Sequence, residues 1–271
     1  MGAAGLSIPS SRQAEVWRRL TEVNDPELDE PVTNMGFVER AEILDDAGVE
    51  VEFRLPTYWC SPNFAFLMLD GVREALEALS WKPAYRIQLQ DHMFADEVNR
   101  GIAAGKSFGQ VFGEMTGDLD LTALRETFRA KAYKRRQEAV LLGLRQAGLG
   151  DDAILAMDLP AFDAAQPAGE DAVAQKPRYR QALLERHPHI GRGDGVFLTW
   201  EGTPLAAATL ASYLGDLRSL RINMEFNGAL CRGLKQTRYK QAEFTDGEPT
   251  LVDFILDRVP PAAGNAPAVN S

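Results

Sequence analysis

The spacing of apolar positions near the start of the chain predicts a helix followed by a β-hairpin. In residues 11–23 the apolar side chains recur every three or four positions, which is typical of a helix with one buried face. Residues 49–55 instead alternate apolar and charged positions without a break, as a strand with one solvated face does. A second strand-like run covers residues 36–43, and the turn residues Asp45-Asp46-Ala47-Gly48 between the two runs favour a hairpin.

Another helix and another strand complete this unit. Ser61 is a suitable N-cap, and Pro62 suits the first helical position, where its missing N–H costs nothing. Apolar residues at helical spacing follow from Phe64 to Leu79, and residues 85–90 form a third strand-like run. The order α-β-β-α-β predicts an α+β fold, a compact two-layer domain with helices packed on a small mixed sheet.

The sequence as a whole divides into five predicted parts. Residues 12–101 form the α+β domain, residues 102–117 a glycine-rich linker or packed loop, and residues 118–259 a mainly helical C-terminal region. Small residues and proline dominate the two ends of the chain, so residues 1–11 are predicted to be a flexible tail and residues 260–271 a disordered one.

Within the C-terminal region, one helical pattern is strong and the others are weak. Residues 121–147 predict a long helix that ends at Gly148. Residues 161–176 resemble a flexible connector, residues 196–200 a strand, and residues 220–226 an alternating run.

Composition narrows the class of protein. The 271 residues include 39 acidic and 29 basic ones, a formal net charge of -10, which argues against general binding to nucleic acid phosphates. Two cysteines cannot build a disulfide framework, which favours a reducing compartment. No basic and apolar leader and no apolar run of membrane-spanning length stand in the sequence. We therefore expect a soluble cytoplasmic protein that contacts neither nucleic acid nor a membrane.

Cys60 is the main candidate for chemistry, because it lies between the second predicted strand and the start of a helix. The first N–H groups of a helix are unpaired and carry partial positive charge, which favours a thiolate there. The thiolate is the form of cysteine that binds metal or attacks an electrophile. Alternatively, Cys60 is a small hydrophobic residue of the core. That structural interpretation is preferred for Cys231, since nothing near it in the sequence suggests activation.

The segment from about Glu15 to Gly101 resembles the iron–sulfur cluster assembly domain. This domain occurs in accessory proteins of bacterial cluster-building systems, in eukaryotic cytosolic cluster-targeting factors and in a maturation protein of phenylacetate-degrading oxygenase operons. The motifs that carry the resemblance stand here, in order, as VNDPEL from Val23, VTNMGFV from Val32 and LPTYWCSP from Leu55.

The resemblance implies that Cys60 binds or hands on a metal–sulfur cluster, supported by Asp25, Glu27, Thr57 and Ser61. Iron–sulfur clusters usually need four ligands, mostly thiolates, and two cysteines with three histidines cannot supply them. An iron–sulfur cluster or iron would therefore be transient and shared with a partner or a dimer mate. We expect an assembly or targeting factor, not an enzyme in the turnover sense. Its partners would be a client metalloenzyme such as an oxygenase, a cluster-assembly scaffold and a second copy of the chain.

Two other functional hypotheses stay open, as does the role of a basic run. The first is a thiol-dependent enzyme with Cys60 as nucleophile, and the second is a protein-interaction adaptor without chemistry. The basic run is either a solvated helix face or a docking surface for an acidic partner. Its proposed docking residues are Arg125, Arg129, Lys134 and Arg135. The histidines, His92 among them, are interpreted as solvated loop residues and not as metal ligands.

Overall fold

The computed structural model describes residues 11–116 and 121–239. The tails predicted for residues 1–11 and 260–271 lie outside this part of the chain, apart from Ser11. The chain forms two compact units. Of the described residues, the first unit holds those up to 122 and those from 226 to 239, and the second unit holds residues 123–225.

Among the described residues, three strands form one mixed sheet, which lies in the first unit. β1 (Val38–Ile43) pairs antiparallel with β2 (Val49–Arg54), and β2 pairs parallel with β3 (Tyr85–Gln90). The strand order is therefore β1-β2-β3, and the predicted hairpin and third strand are confirmed. Buried and half-exposed residues alternate along β2, as its sequence pattern predicts.

Helices complete the first unit and give the predicted α+β fold. They are α1 (Ser11–Leu20), α2 (Pro62–Glu77), α3 (Ala95–Ala103) and α4 (Phe108–Thr116). Helix α2 buries one face, through Ala65, Phe66, Met68, Leu69, Val72 and Leu76. Ser61 occupies the N-cap position of α2 as predicted, but its hydroxyl makes no capping hydrogen bond.

The described part of residues 102–117, predicted to be a linker or loop, is mostly helical. It holds the end of α3 and all of α4, whose residues Phe108 and Phe112 are buried with ring centroids 4.8 Å apart. Gly101 permits the close approach of these helices, because a Cβ there would lie 2.4 Å from Cγ2 of Val111. The glycine that looks like a chain breaker in the sequence is a packing residue.

The regular secondary structure described for the second unit is all helical. These are α5 (Thr122–Gln146), α6 (Asp151–Leu155), α7 (Leu159–Ala164), α8 (Glu170–Arg186) and α9 (Ala207–Tyr239), the last of which continues into the first unit. The long helix predicted from residue 121 is confirmed. No described helix is both long enough and apolar enough to cross a membrane.

Three other expectations for the second unit are wrong. Helices α7 and α8 occupy most of residues 161–176, which the sequence predicts to be a connector. Residues 196–200 make only an isolated bridge between Leu198 and Pro204 and not a strand. The alternating run at residues 220–226 lies inside α9.

A buried polar network explains why residues 196–200 do not join a sheet. Tyr133 and Gln137 of α5 donate to the carbonyl of Leu198 at 2.9 and 2.7 Å, and Tyr179 of α8 donates to that of Val196 at 2.8 Å. Side chains thus take the carbonyl groups that a ladder would need, which satisfies them in the core. Burial raises the pKa of both tyrosines, so both stay protonated as donors.

Candidate functional site

The topology of the sheet brings three chain segments to one edge. Since β2 and β3 are parallel and Arg54 pairs with Gln90, the loops that follow both strands start side by side. Strand β1 is antiparallel to β2, so the chain enters β1 at this same edge, where the Arg54 N–H donates to the Phe37 carbonyl at 2.8 Å. We call this end of the sheet the site edge. The segments that meet there are residues 24–37, 55–61 and 91–94.

Cys60 lies at the site edge, directly before the N-cap of α2, as predicted. The residue is half-buried, and its thiol is free of any disulfide. The Thr57 hydroxyl lies 3.1 Å from the sulfur, within hydrogen-bond distance. The structure therefore brings together Cys60 and Thr57 among the predicted site residues.

His92 holds the cysteine loop from the neighbouring segment. Its Nδ1 accepts the N–H of Phe94 at 3.1 Å, so the ring proton lies on Nε2, which donates to the Cys60 carbonyl at 2.7 Å. A second bond, from the Met93 N–H to the Tyr58 carbonyl at 2.9 Å, ties the same two segments together. His92 is only 5% exposed, and burial lowers its pKa, which favours the neutral ring. The interpretation of His92 as a solvated residue is wrong.

Asp25 organises the turn on the other side of the site edge. Its Oδ1 accepts the backbone N–H groups of Glu27 at 2.9 Å and Leu28 at 3.0 Å. The side chain is 8% exposed, and this burial raises its pKa to about 6 although the two hydrogen bonds lower it. The charges of Glu27 and Glu30 add to the rise. The carboxyl group is therefore held in an unfavourable place for its negative charge.

The comparisons with known proteins concern the N-terminal part of the chain. Residues 13–86 match the family model described as "Iron-sulfur cluster assembly protein". The N-terminal part of the chain thus matches the iron–sulfur cluster assembly family. No curated protein and no solved structure matches the chain. The resemblance inferred from the motifs is thereby confirmed. The matched residues, called the assembly domain below, include Asp25, Thr57 and Cys60 but end before His92.

The C-terminal part of α9 follows the assembly domain in sequence. It packs on segments of the first unit that flank the site edge. Three ion pairs connect them, each between a cation of α9 and an acidic residue. They join Arg232 to Glu30 at 2.7 Å, Lys235 to Glu39 at 2.7 Å and Arg238 to Asp91 at 2.9 Å. Partly exposed pairs of this kind stabilise little individually, but together they fix which face of α9 meets the N-terminal part of the first unit.

Cys231 lies on this part of α9, and sequence reasoning missed its surroundings. The side chain is half-buried, and burial raises its pKa to about 12. The charges of Asp25, Cys60 and Glu27 act in the same direction, so these groups are near enough to influence Cys231. The only sequence signal was helical spacing, which places Cys231 on the face that carries Arg232 and Lys235.

An exposed apolar patch adjoins the thiol. It consists of Tyr58, Trp59 and Met93, and we call it the aromatic patch. Trp59 is 74% exposed, and its ring centroid lies 5.8 Å from that of Tyr58 in an edge-to-face arrangement. Large apolar side chains grouped on a surface are typical of a protein contact.

The basic run on α5 is less uniform than its sequence suggests. Arg129 is exposed, whereas Arg125 and Lys134 are half-buried. The side chain of Arg135 is 17% exposed and pairs with Asp171 at 3.0 Å, so its charge is engaged within the second unit. A docking role for these residues stays a prediction.

Proposed function

We propose that the protein is an assembly or targeting factor that carries a metal–sulfur cluster or iron, bound transiently through Cys60, to a client metalloenzyme. The observation that supports it most is the placement of Cys60 within the matched domain. The residue is half-buried, and its sulfur lies 3.1 Å from the Thr57 hydroxyl. Such a thiol is positioned to hold cargo loosely and release it.

The cargo would be shared with another protein. Within the part of the chain that the structure describes, no group of three or more His, Cys, Asp or Glu side chains is arranged to hold a metal ion. A cluster needs about four ligands. The missing ligands would come from the client, from a scaffold that supplies the cluster or from a second copy of the chain.

The client would dock beside the thiol on the aromatic patch. Trp59 and Tyr58 precede Cys60 directly in the chain, so a protein that covers them also reaches the sulfur. Aromatic side chains supply much of the binding free energy at protein interfaces. The second unit would add selectivity for the client, for example an oxygenase. The exposed Arg129 would contact an acidic surface of that client.

A thiol-dependent enzyme is the second hypothesis, and the structure gives it a histidine near Cys60. Nucleophilic cysteines are activated by an adjacent base. Both ring nitrogens of His92 are engaged, however, one by the Phe94 N–H and the other by the Cys60 carbonyl. This arrangement favours a positioning role for His92, and the carrier remains the better hypothesis.

Anaerobic reconstitution with ferrous iron and sulfide tests the proposal. The wild-type protein should develop sulfur-to-iron charge-transfer absorption, and Cys60→Ala should lose it. Ser212→Ala, an exposed substitution on the second unit's part of α9, is the control and should behave as wild type. Full absorption in Cys60→Ala would overturn the proposal.

The same samples separate the other two hypotheses. Absence of a cluster, together with alkylation of Cys60 at a pH well below the usual thiol pKa of about 8.5, would favour the enzyme. If the protein shows neither the cluster absorption nor this alkylation, but the wild-type protein still recovers a client, the adaptor is favoured.

A further inference from the structure

We propose that the second unit binds an amphipathic organic anion, a small molecule with an apolar body and a carboxylate, sulfonate or phosphate head. Its site is a cavity of about 510 Å³ between α5 and α9, with Trp200 in its wall. This volume lies within the range of about 300–1,000 Å³ that is typical of small-molecule sites. The inference goes beyond the proposed function and does not depend on it, because every residue that lines the cavity belongs to the second unit.

The two helices each turn one face to the cavity. On α5 the lining positions are 126, 127, 130, 131 and 134, and on α9 they are 213, 216, 217 and 220. Positions three and four residues apart lie on the same side of a helix. The cavity is therefore a groove between two helix faces.

Apolar side chains form the inner part of this groove. Leu217 is only 2% exposed, and Ala130, Leu220 and Trp200 are half-buried. An apolar ligand body that covers these side chains removes their remaining surface from water, which favours binding.

The aromatic side chains of the groove are held in place by the protein itself. The Tyr213 hydroxyl donates to Oε1 of Gln137 at 2.6 Å. The guanidinium carbon of Arg186 lies 4.3 Å from the ring centroid of Trp200, and Nε of Arg186 donates to the Trp200 carbonyl at 3.1 Å. A site whose walls are already ordered loses little conformational entropy when a ligand binds.

Two lysines supply the preference for an anion. Lys131 and Lys134 both line the cavity, are half-buried and lie three residues apart on α5. Because half-burial excludes part of the solvent, an ammonium group attracts an opposite charge more strongly there than in bulk water. An anionic head can contact these ammonium groups while its apolar body lies against Leu217 and Trp200.

The carboxylates around the groove do not cancel this preference. Glu126 forms an ion pair with Arg186 at 2.8 Å, so its charge is already balanced. Asp216 and Glu201, the latter near enough to Lys134 to interact with its charge, are both exposed. Water and salt screen exposed charges more than half-buried ones, so the two lysines dominate the field that a bound head group meets.

Titration of the full-length protein with anilinonaphthalene sulfonate, a fluorescent aromatic anion, tests the site. The wild-type protein should bind it saturably with a rise in fluorescence. Lys131→Gln and Lys134→Gln should each weaken binding by about threefold to tenfold, because each removes one cation from the groove. Arg218→Gln removes an exposed cation next to Leu217 that is not among the lining residues, and this control should bind as the wild-type protein does. Absence of binding in the wild-type protein, or wild-type affinity in both lysine variants, would overturn the proposal.

Two more variants separate this groove from the aromatic patch and from the thiol. Ala130→Phe should fill the groove and prevent binding, whereas Trp59→Ser and Cys60→Ala should leave the affinity unchanged. Loss of binding in Trp59→Ser together with full binding in Ala130→Phe would place the probe on the aromatic patch and refute the groove as its site.

A matched pair of competitors tests the charge preference without any substitution. Naphthoate and naphthamide have nearly the same shape, but only naphthoate carries a negative charge at neutral pH. Naphthoate should displace the bound probe at concentrations at least about tenfold lower than naphthamide does. Equal displacement by the two compounds would contradict the assignment of an anion.

Discussion

Replacing Asp25 by asparagine should stabilise the protein at neutral pH. The buried carboxylate accepts the N–H groups of Glu27 and Leu28, and an asparagine amide oxygen can accept the same two bonds. What the substitution removes is a negative charge that is 8% exposed and lies near Glu27 and Glu30. The bonds remain available, whereas the cost of burying the charge disappears.

The size of the effect follows from the pKa of Asp25. Burial raises it from 3.8 to about 6, so the folded protein holds this proton more tightly than the unfolded chain does. The stability that Asp25 contributes is fully present below about pH 3.8 and is lost as the pH rises through about 6. At 1.36 kcal/mol per pKa unit, the ionised group lowers the free energy of unfolding by about 3 kcal/mol.

Urea unfolding at several pH values measures this difference. The free energy of unfolding of Asp25→Asn should exceed that of the wild-type protein by up to about 3 kcal/mol near neutral pH. This difference should disappear as the pH falls from about 6 to 3.8, the range in which Asp25 becomes protonated. Glu77→Gln is a control of opposite sign, because a hydrogen bond from Tyr85 and then Arg73 lower the pKa of Glu77. That variant should be less stable than wild type at neutral pH. A pH-independent loss of stability in Asp25→Asn would refute the reasoning.

Three further substitutions test packing and the cysteine loop. Gly143→Ala would place a Cβ 2.3 Å from that of Ala172 and should cost about 1–3 kcal/mol in thermal unfolding. Gly215→Ala, with nothing within 4 Å, should instead gain about 0.5–1 kcal/mol. Equal melting temperatures for the two variants would contradict this account. His92→Ala removes the donor to the Cys60 carbonyl and should cost about 1–3 kcal/mol while Cys60 alkylates faster, as peptide mapping would show. An unchanged alkylation rate would mean that His92 does not position the loop.

Local patterns predicted the parts of the fold whose burial follows a simple period. Strand β2 has alternating burial because its apolar and charged residues alternate, and β3 covers the predicted residues 85–90. The site edge follows in turn, since parallel pairing of β2 and β3 places the loops after them together. The position of Cys60 before α2 could therefore be derived before any coordinates were known.

Elements whose structure depends on distant packing could not be predicted in this way. The alternating residues 220–226 lie within the 33-residue helix α9, where Met224 is buried but Ile222 and Phe226 are exposed. A short alternating run therefore does not distinguish a strand from one stretch of a long helix. The glycine content of this region was also a poor guide to a linker or loop, because Gly101 allows a close contact with Val111 and does not form a turn.

The site residues show the same difference between contacts that are local in sequence and contacts between distant residues. Thr57 and Cys60 are three positions apart, so a motif contains both. His92 reaches Cys60 across 32 residues, and Arg232 reaches Glu30 across 202. Neither contact leaves a local pattern, which is why His92 was interpreted as a solvated residue and Cys231 as a structural one.

The raised pKa values of Asp25 and Cys231 have a common origin, and this connects the stability of the site to its proposed cargo. For both groups burial is the largest cause, and nearby acidic groups raise the pKa further, although two backbone hydrogen bonds lower that of Asp25. A cationic cargo bound at the site edge would lower both values, because it favours each anionic form. The free energy that the Asp25 carboxylate costs in the protein alone would then be offset by cation binding. Asp25 would thus make the protein less stable without its cargo and increase its affinity for the cargo, as expected of a functional site.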